Sequence, residues 1–289
     1  VEGITVSVNG VLGDAHAGNW HRQVSMLGAE SIEKFSKVAN RKVNFGEFAE
    51  NLTTQGIELY KCAVFDRFII NDVVLEITQI GKECHGNTCA IFSEVGECIM
   101  PKEGIFCRVI RGGTIKADDA INYVPRVFRA HVITLSDRAS AGEYEDLSGP
   151  RITERLNTHF KNANRRIEVV NSIINDDPEK LKNLIEFAIQ DNADIIFTSG
   201  GTGIGARDIT VDVLKPILDK EIPGIMDHIR MKYGSRKPNA LISRSVAGTI
   251  GNTLVFALPG SVKAVDEYCT EILNVMDHLF LMLYGIDSH

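Results

Sequence analysis

The stretch Thr198-Ser199-Gly200-Gly201-Thr202-Gly203-Ile204-Gly205-Ala206-Arg207-Asp208-Ile209-Thr210 decides the reading of the C-terminal half of this chain. It follows Ala193-Asp194-Ile195-Ile196-Phe197, an apolar run with the length and composition of a buried parallel strand. Glycines at 200, 201, 203 and 205 let the backbone turn sharply and bring consecutive N–H groups close to an anion, with no Cβ in the way. So dense a set is read as ligand-facing and not as packing. No Gly-Lys-Ser/Thr follows, so the stretch is not a P-loop. Arg207-Asp208 stands there instead, a guanidinium for a phosphate and a carboxylate for its Mg²⁺. Thr210 is expected to cap a helix running through Val213, Leu214, Ile217 and Leu218. Glycine alone serves geometry in many strand-to-helix turns; the charged pair is what points to a phosphate site.

Outward from this stretch, strands are expected at 130–135, 167–174 and 254–258. Helices are expected to begin near Ser148-Gly149-Pro150, at Pro178 behind an Asp177 cap, and near Val262. Each strand ends in polar or glycine-rich sequence: Ser136-Asp137, Asn175-Asp176, Ser199 to Asp208, and Pro259-Gly260-Ser261. That order is the signature of a doubly wound α/β sheet, in which ligands lie beyond the strand C-termini. The Leu- and Met-rich terminal helix reads as packing.

Residues 4–123 read as short strands around one helix, expected over 26–40 with Ser25 as its cap. Phe68-Ile69-Ile70 and Val73 to Ile77 flank Asn71-Asp72 as a hairpin, and 105–110 with 114–115 suggests another. Strands without a repeat, joined by Gly and Asp turns, argue for a small β-barrel. Gly13-Asp14-Ala15-His16-Ala17-Gly18-Asn19-Trp20 is too polar for a core strand and reads as a functional loop. A second polar cluster is Gly81-Lys82-Glu83-Cys84-His85-Gly86-Asn87-Thr88-Cys89. A structural zinc site there would lack the usual C-x2-C pair. Cys98 and Cys107, flanked by apolar residues, read as buried small hydrophobes.

A chain of 289 residues favours two domains, placed at 1–124 and 128–289 with a joint at Pro125. With 31 basic and 38 acidic residues the formal charge is −7, which argues against nonspecific nucleic-acid binding. No apolar run has membrane-spanning length and no signal-peptide pattern opens the sequence, so a cytoplasmic protein with reduced thiols is expected. Val1 in place of Met suggests that the numbering begins inside a longer product.

Two resemblances add to this reading. Gly13 to Gly18, Phe45-Gly46-Glu47-Phe48-Ala49-Glu50-Asn51-Leu52, the cluster Gly81 to His85 with Cys89, and Met100 to Phe106 together resemble a MOSC domain. The resemblance implies a β-barrel that handles the molybdenum cofactor or its sulfur, with Cys89 as molybdenum ligand or sulfur carrier. It also implies an opening strand ahead of residue 1. From 128 to 285 the chain resembles the MogA/MoaB family, seen also in gephyrin, through Ser199-Gly200-Gly201-Thr202-Gly203, Arg207-Asp208-Ile209-Thr210, Ser243-Arg244 and Leu258-Pro259-Gly260-Ser261. Asn175, where that family commonly has proline, departs from the pattern.

This second resemblance implies a molybdopterin adenylyltransferase using ATP and Mg²⁺, and a homo-oligomer built on trimers. Asp176 and Asp208 would be the catalytic carboxylates, with Asp208 on Mg²⁺. Ser199, Gly200, Gly201, Thr202 and Gly203 would hold phosphates, and Arg207 would bind phosphate or pterin. Ser136, Asp137, Ser243, Leu258, Pro259, Gly260 and Ser261 would hold the pterin. Two other functions stay open at this stage: a molybdopterin carrier without adenylyl transfer, and a MOSC-based molybdoenzyme reducing N-hydroxylated compounds.

Overall fold

The computed structural model describes residues 3–82 and 98–286. Two compact units meet in sequence at Arg126 and Val127. The first holds β1 (Ile4–Ser7), β2 (Gly10–Val11), β3 (Val24–Gly28), β4 (Leu52–Thr54), β5 (Arg67–Ile70), β6 (Val73–Ile80), β7 (Ile105–Arg111), β8 (Gly113–Ile115) and β9 (Asn122–Val124). They form a three-stranded sheet, β2-β1-β8, and a six-stranded sheet, β4-β3-β7-β6-β5-β9. Val24, Met26, Phe68, Leu75, Ile77 and Ile105 fill the core between them. A second cluster of Leu27, Ile32, Phe35 and Phe48 lies under the helix Ala29–Val38.

The β5–β6 hairpin forms as expected, turning through Asn71 at φ +53°. The helix expected from residue 26 starts only at Ala29, because Val24–Gly28 is a strand buried along its whole length. A strand covered on both faces shows no alternation, and its apolar residues mimic helical spacing. Ser25 therefore caps nothing: its hydroxyl donates to Ala49 O and Asn51 Oδ1. The second expected hairpin also differs. β7 is already flanked by β3 and β6, so β8 turns away at Gly112 and pairs with β1.

The second unit holds β10 (Val127–Leu135), β11 (Arg166–Ile174), β12 (Ile195–Ser199), β13 (Lys220–Glu221), β14 (Ala247–Ile250) and β15 (Thr253–Leu258). Their order is β11-β10-β12-β15-β14-β13. The first four run parallel; β14 and β13 add an antiparallel edge, so the sheet is mixed. The β14–β15 hairpin, turning at Gly251 with φ +55°, was not among the expected elements.

Residues alternate along β10. Phe128 meets Phe160 and Phe280 from the helices Ser148–Asn162 and Val262–Leu283. Ile133 and Leu135 instead join Leu181, Ile185 and Ala188 of Pro178–Gln190. Helices thus cover both faces. The strand order reverses between β10 and β12, and a crevice for ligand opens beyond their C-terminal ends.

Asp177 caps its helix as expected, accepting from the N–H groups of Glu179 and Lys180. Thr210 does not. The helix Thr210–Leu214 has Ile209 at its cap position, and Thr210 Oγ1 donates instead to Gly200 O at 2.7 Å. The helix also stops at Leu214, because Pro216 has no N–H to continue it, and Lys215–Ile217 tightens into a 3-10 turn.

Candidate functional site

The loop after β12 is held from outside by its carbonyls. Gly200 O accepts from Thr210 Oγ1 at 2.7 Å and Gly201 O from Thr210 N at 3.0 Å. Thr202 O accepts from Arg244 N at 2.9 Å, and Gly203 O from Arg244 Nε at 2.7 Å. The N–H of Gly200 donates to Leu258 O. Among the described residues, the N–H groups of Gly201, Thr202 and Gly203 donate to no protein acceptor. That is a backbone nest, suited to an anion.

The reading of these glycines as ligand-facing only is corrected here. Gly200 has φ +103° and Gly201 φ +63°, where side chains are strained. A Cβ on Gly200 would overlap Leu135 O, and one on Gly201 would lie 2.5 Å from Thr210 Oγ1. Both glycines are therefore needed for packing as well. Gly260 approaches the same loop: its Cβ would stand 3.3 Å from Gly200 Cα.

Asp208 closes the loop. Its Oδ2 accepts from Gly205 N at 2.7 Å, and its backbone O accepts from Arg244 Nη2 at 2.7 Å. Arg244 also pairs with Asp212 at 2.8 Å, so one guanidinium ties two carbonyls of the loop to the helix that follows it. The sequence motif contained Arg244 without giving it this part. Its signal is that arginine, alone among side chains, offers five N–H donors in a fixed fork.

Two cavities open here, and both include Gly201 and Asp208. One, of about 560 Å³, is lined by Ser136, Asp137, Asp176 and Arg207. Arg207 Nη1 donates to Asp137 Oδ2 at 2.9 Å, and Asp176 N donates to Asp137 Oδ1 at 3.0 Å. The Asp176 N–H, then Arg207, hold the Asp137 carboxyl below its ordinary pKa. Asp176 moves the other way: burial raises it, and the Asp137 and Asp208 charges add to the rise against Arg207. Ser136 Oγ accepts from Ala139 N, capping a short turn of helix.

The other cavity, of about 410 Å³, is lined by Thr202, Gly203, Ser243, Pro259, Gly260 and Ser261, and also by Lys237, Lys263, Glu267 and Tyr268. Ser243 and Pro259 to Ser261 thus share one cavity, while Ser136 and Asp137 lie in the other. Ser199 and Leu258 are buried at the ends of their strands beneath the loop. The lysines carry no motif; only the fold joins positions so far apart in sequence. No group of three or more His, Cys, Asp or Glu side chains among the described residues could hold a metal unaided. Mg²⁺ still fits, because it commonly rests on one or two carboxylates plus substrate phosphates.

In the first unit, two of the polar motifs converge. Asn51 Nδ2 donates to Asp14 Oδ2 at 2.8 Å, and Asn51 Oδ1 accepts from Ser25 N at 2.9 Å. Burial works to raise the Asp14 pKa, yet the His16 N–H and the Asn51 amide bring it below its ordinary value. Glu50 accepts from Gly46 N, Phe48 N and Thr53 Oγ1 and so staples its own loop. Cys107 is buried, as expected, while Cys98 is half-buried. Burial raises the Cys62 thiol to about 11 and Cys107 beyond it, so neither is a ready thiolate. Cys84, His85 and Cys89 lie outside the described residues.

Residues 131–278 match the family model described as "Probable molybdopterin binding domain", and residues 13–122 match the MOSC domain model. A molybdopterin adenylyltransferase of Helicobacter pylori is 38% identical over 155 residues, covering 53% of this chain and 86% of that protein. The molybdenum cofactor biosynthesis bifunctional protein of Chlorobaculum tepidum is 34% identical over 171 residues; the match takes in 59% of this chain and 52% of that one. Among solved structures, the tungsten cofactor synthesizing protein MoaB of Pyrococcus furiosus aligns with TM-score 0.50 and 35% identity, over 55% of this chain and 99% of that one. Among the described residues no helix is long and apolar enough to cross a membrane. The model spanning 131–278 takes in just over half of the 289 residues, and with a MOSC domain ahead of it the chain belongs to the family of molybdopterin-binding domains of molybdenum cofactor biosynthesis.

Proposed function

We propose that the second unit is a molybdopterin adenylyltransferase. A phosphate oxygen of molybdopterin attacks the α-phosphorus of ATP, the bond to the β-phosphate oxygen breaks, and pyrophosphate leaves with its electron pair. The observation that carries the proposal is the loop 200–203, with its carbonyls tied to protein and three N–H groups left for a ligand, beside Asp208. The activity named for the Helicobacter pylori relative agrees with it.

The nucleophile is already an anion near neutral pH, so no strong general base is required. The chain's task is alignment of two polyanions and neutralisation of their charge. Gly201 to Gly203 would take phosphoryl oxygens on their N–H groups. Arg207, oriented by Asp137, would meet the nucleotide phosphates in the cavity it shares with Asp176. Asp208 and Asp176 would hold Mg²⁺, which supplies positive charge against the triphosphate. Ser243 and Pro259 to Ser261 would carry the pterin. Ser136 and Asp137, first assigned to the pterin, go to the nucleotide side in this reading.

Residues 128–289 are taken as this catalytic domain and 1–124 as a MOSC domain. The two sheets of the latter would be walls of a barrel serving the molybdenum cofactor or its sulfur, with Cys89 as the ligand or carrier. The assembly would be a cytoplasmic homo-oligomer of trimers.

The test is to give the protein molybdopterin and Mg-ATP and to follow pyrophosphate and adenylyl-molybdopterin. Bound molybdopterin without either product would make the protein a carrier. The same assay on residues 126–289 alone should succeed; a folded but inert fragment would refute the division of labour.

A further inference from the structure

The turn that carries Ser136 and Asp137 runs on into an exposed segment whose two ends are tied down. Ser136 Oγ caps the short helix Asp137–Ser140, and Glu143 N donates to Arg138 O at 2.9 Å. At the far end Asp146 Oδ2 accepts from Thr134 Oγ1 of β10 at 2.7 Å. Its Oδ1 accepts from Ser148 N at 2.9 Å and from Gly149 N at 3.1 Å. Gly142, at φ +74°, lets the chain turn between these anchors. The turn sets the Tyr144 ring against the Arg138 guanidinium, whose Cζ is 5.3 Å from the ring centroid. Tyr144 is 51% exposed, and among the described residues no carboxylate lies at ion-pair distance from Arg138.

Arg138 also lines the wider cavity of about 560 Å³, together with Asp137, Asp176, Arg207 and Asp208. The phosphates of ATP are assigned there, yet a nucleotide brings a flat and neutral base as well. Among the described residues no aromatic side chain lines this cavity; the ring of Tyr268 belongs to the other one. The Arg207 guanidinium is engaged by Asp137 at 2.9 Å. That leaves the delocalised plane of Arg138. A guanidinium is weakly hydrated and stacks on π-faces, which an ammonium does poorly.

We infer that Arg138, backed by Tyr144, is the platform on which the adenine base of ATP stacks. The inference deepens the adenylyltransferase reading and rests on it for the identity of the nucleotide. Arg138 makes the contact, and Tyr144 is a positioning residue that acts through it. The ring holds the guanidinium in place before the nucleotide arrives, so less side-chain freedom is lost on binding. Because the base is neutral, the platform adds affinity without drawing on the charges that align the phosphates.

The experiment uses the full chain with Arg138→Lys, Tyr144→Ala and Tyr144→Phe. Binding of Mg-ATP without molybdopterin is measured by titration calorimetry, beside Mg-tripolyphosphate, which has the phosphates and no base. Arg138→Lys keeps the charge and removes the plane; it should weaken ATP about tenfold or more, the usual weight of one base stack. Tyr144→Ala should weaken ATP about two- to fivefold, and Tyr144→Phe, which keeps the ring, should restore it. Tripolyphosphate should stay within about twofold throughout. A merely structural role would disturb Asp137 and Arg207 with the turn, and would weaken both ligands alike. Equal losses for ATP and tripolyphosphate, or unchanged ATP binding in Arg138→Lys, overturn the inference. So does a wild type that binds tripolyphosphate as tightly as ATP. If the wild type binds Mg-ATP but releases no pyrophosphate with molybdopterin, the adenylyltransferase reading fails, while the same titrations still decide the platform.

Discussion

Asp208→Asn separates shape from charge at the centre of the site. The backbone of residue 208 is fixed by Arg244 Nη2 on its carbonyl and by Gly205 O on its N–H, neither of which the substitution touches. The side chain accepts one hydrogen bond from Gly205 N, at 2.7 Å, and an asparagine Oδ1 can accept it equally. The fold and the loop should therefore survive, with a Tm change within a few degrees. What disappears is one negative charge in a place shared by both cavities. A carboxylate there would repel a triphosphate unless a cation lay between them, so Mg²⁺ is what gives it a use. Removing a metal-positioning group should lower turnover about 10²- to 10³-fold, or roughly 3–4 kcal/mol of transition-state stabilisation. Molybdopterin binding should change little, because the pterin is assigned to Ser243 and Pro259 to Ser261. Steady-state pyrophosphate release measures the first quantity; pterin fluorescence measures the second. Mn²⁺ binding in the presence of a non-hydrolysable ATP analogue, read by electron paramagnetic resonance, should weaken in parallel. Near wild-type adenylylation would refute the assignment, and loss of molybdopterin binding would move Asp208 to the pterin side.

Asp176 has a raised pKa, so its share of folding stability is present at acid pH and is lost as pH rises through its folded value. Asp176→Asn should accordingly have a higher Tm than wild type at neutral pH in the absence of Mg²⁺ and nucleotide. The two should converge below about pH 4, where the wild-type carboxyl is protonated; a constant offset across pH would show that charge is not the cause. Arg244→Lys keeps a cation near Asp212, and its backbone N–H still holds Thr202 O, but the side chain cannot reach both Gly203 O and Asp208 O with one fork. It should raise the KM for ATP about tenfold or more with little change in Tm, since only a surface loop is released; unaltered ATP kinetics would show that the loop does not depend on the fork. Cys89→Ser should abolish bound molybdenum or sulfane sulfur. Cys107→Ser should only cost about 1–3 kcal/mol in denaturant unfolding, because it buries a hydroxyl in an apolar core. Equal molybdenum and sulfur in wild type and Cys89→Ser would remove Cys89 from that role.

The sequence was most legible where its signals are local. β12, the glycine loop, the Asp177-Pro178 start and the Leu258 to Ser261 strand end are each marked by apolar runs broken by Gly, Pro or Asp. It misled where burial erases periodicity, as at Val24–Gly28, a strand whose apolar residues fall at helical spacing by accident. Thr210 shows a second kind of ambiguity. A threonine ahead of a helix reads as a cap, yet its hydroxyl can equally serve a carbonyl brought beside it by tertiary structure, and here Gly200 O is closer. The sharing of one cavity by Lys237 and Lys263 was invisible for a simpler reason: charged residues in turns and first helical turns are ordinary, and only folding brings these two to it.

The loop itself joins packing to binding. A peptide group is planar and trans, so fixing the carbonyl of one residue fixes the N–H of the next. Thr210 holds Gly200 O and Gly201 O, and Arg244 holds Thr202 O. The N–H groups of Gly201, Thr202 and Gly203 are thereby aimed before any ligand arrives. Glycine is required on the packed side, where a Cβ at 200 would overlap Leu135 O and one at 201 would press on Thr210 Oγ1. The same close packing that excludes side chains therefore preorganises the donors, and an anion bound there bears little of the cost of ordering a loop. Substitutions at Gly200 and Gly201 should consequently damage stability and phosphate binding together, whereas Arg244 and Asp208 lie where the two can be taken apart.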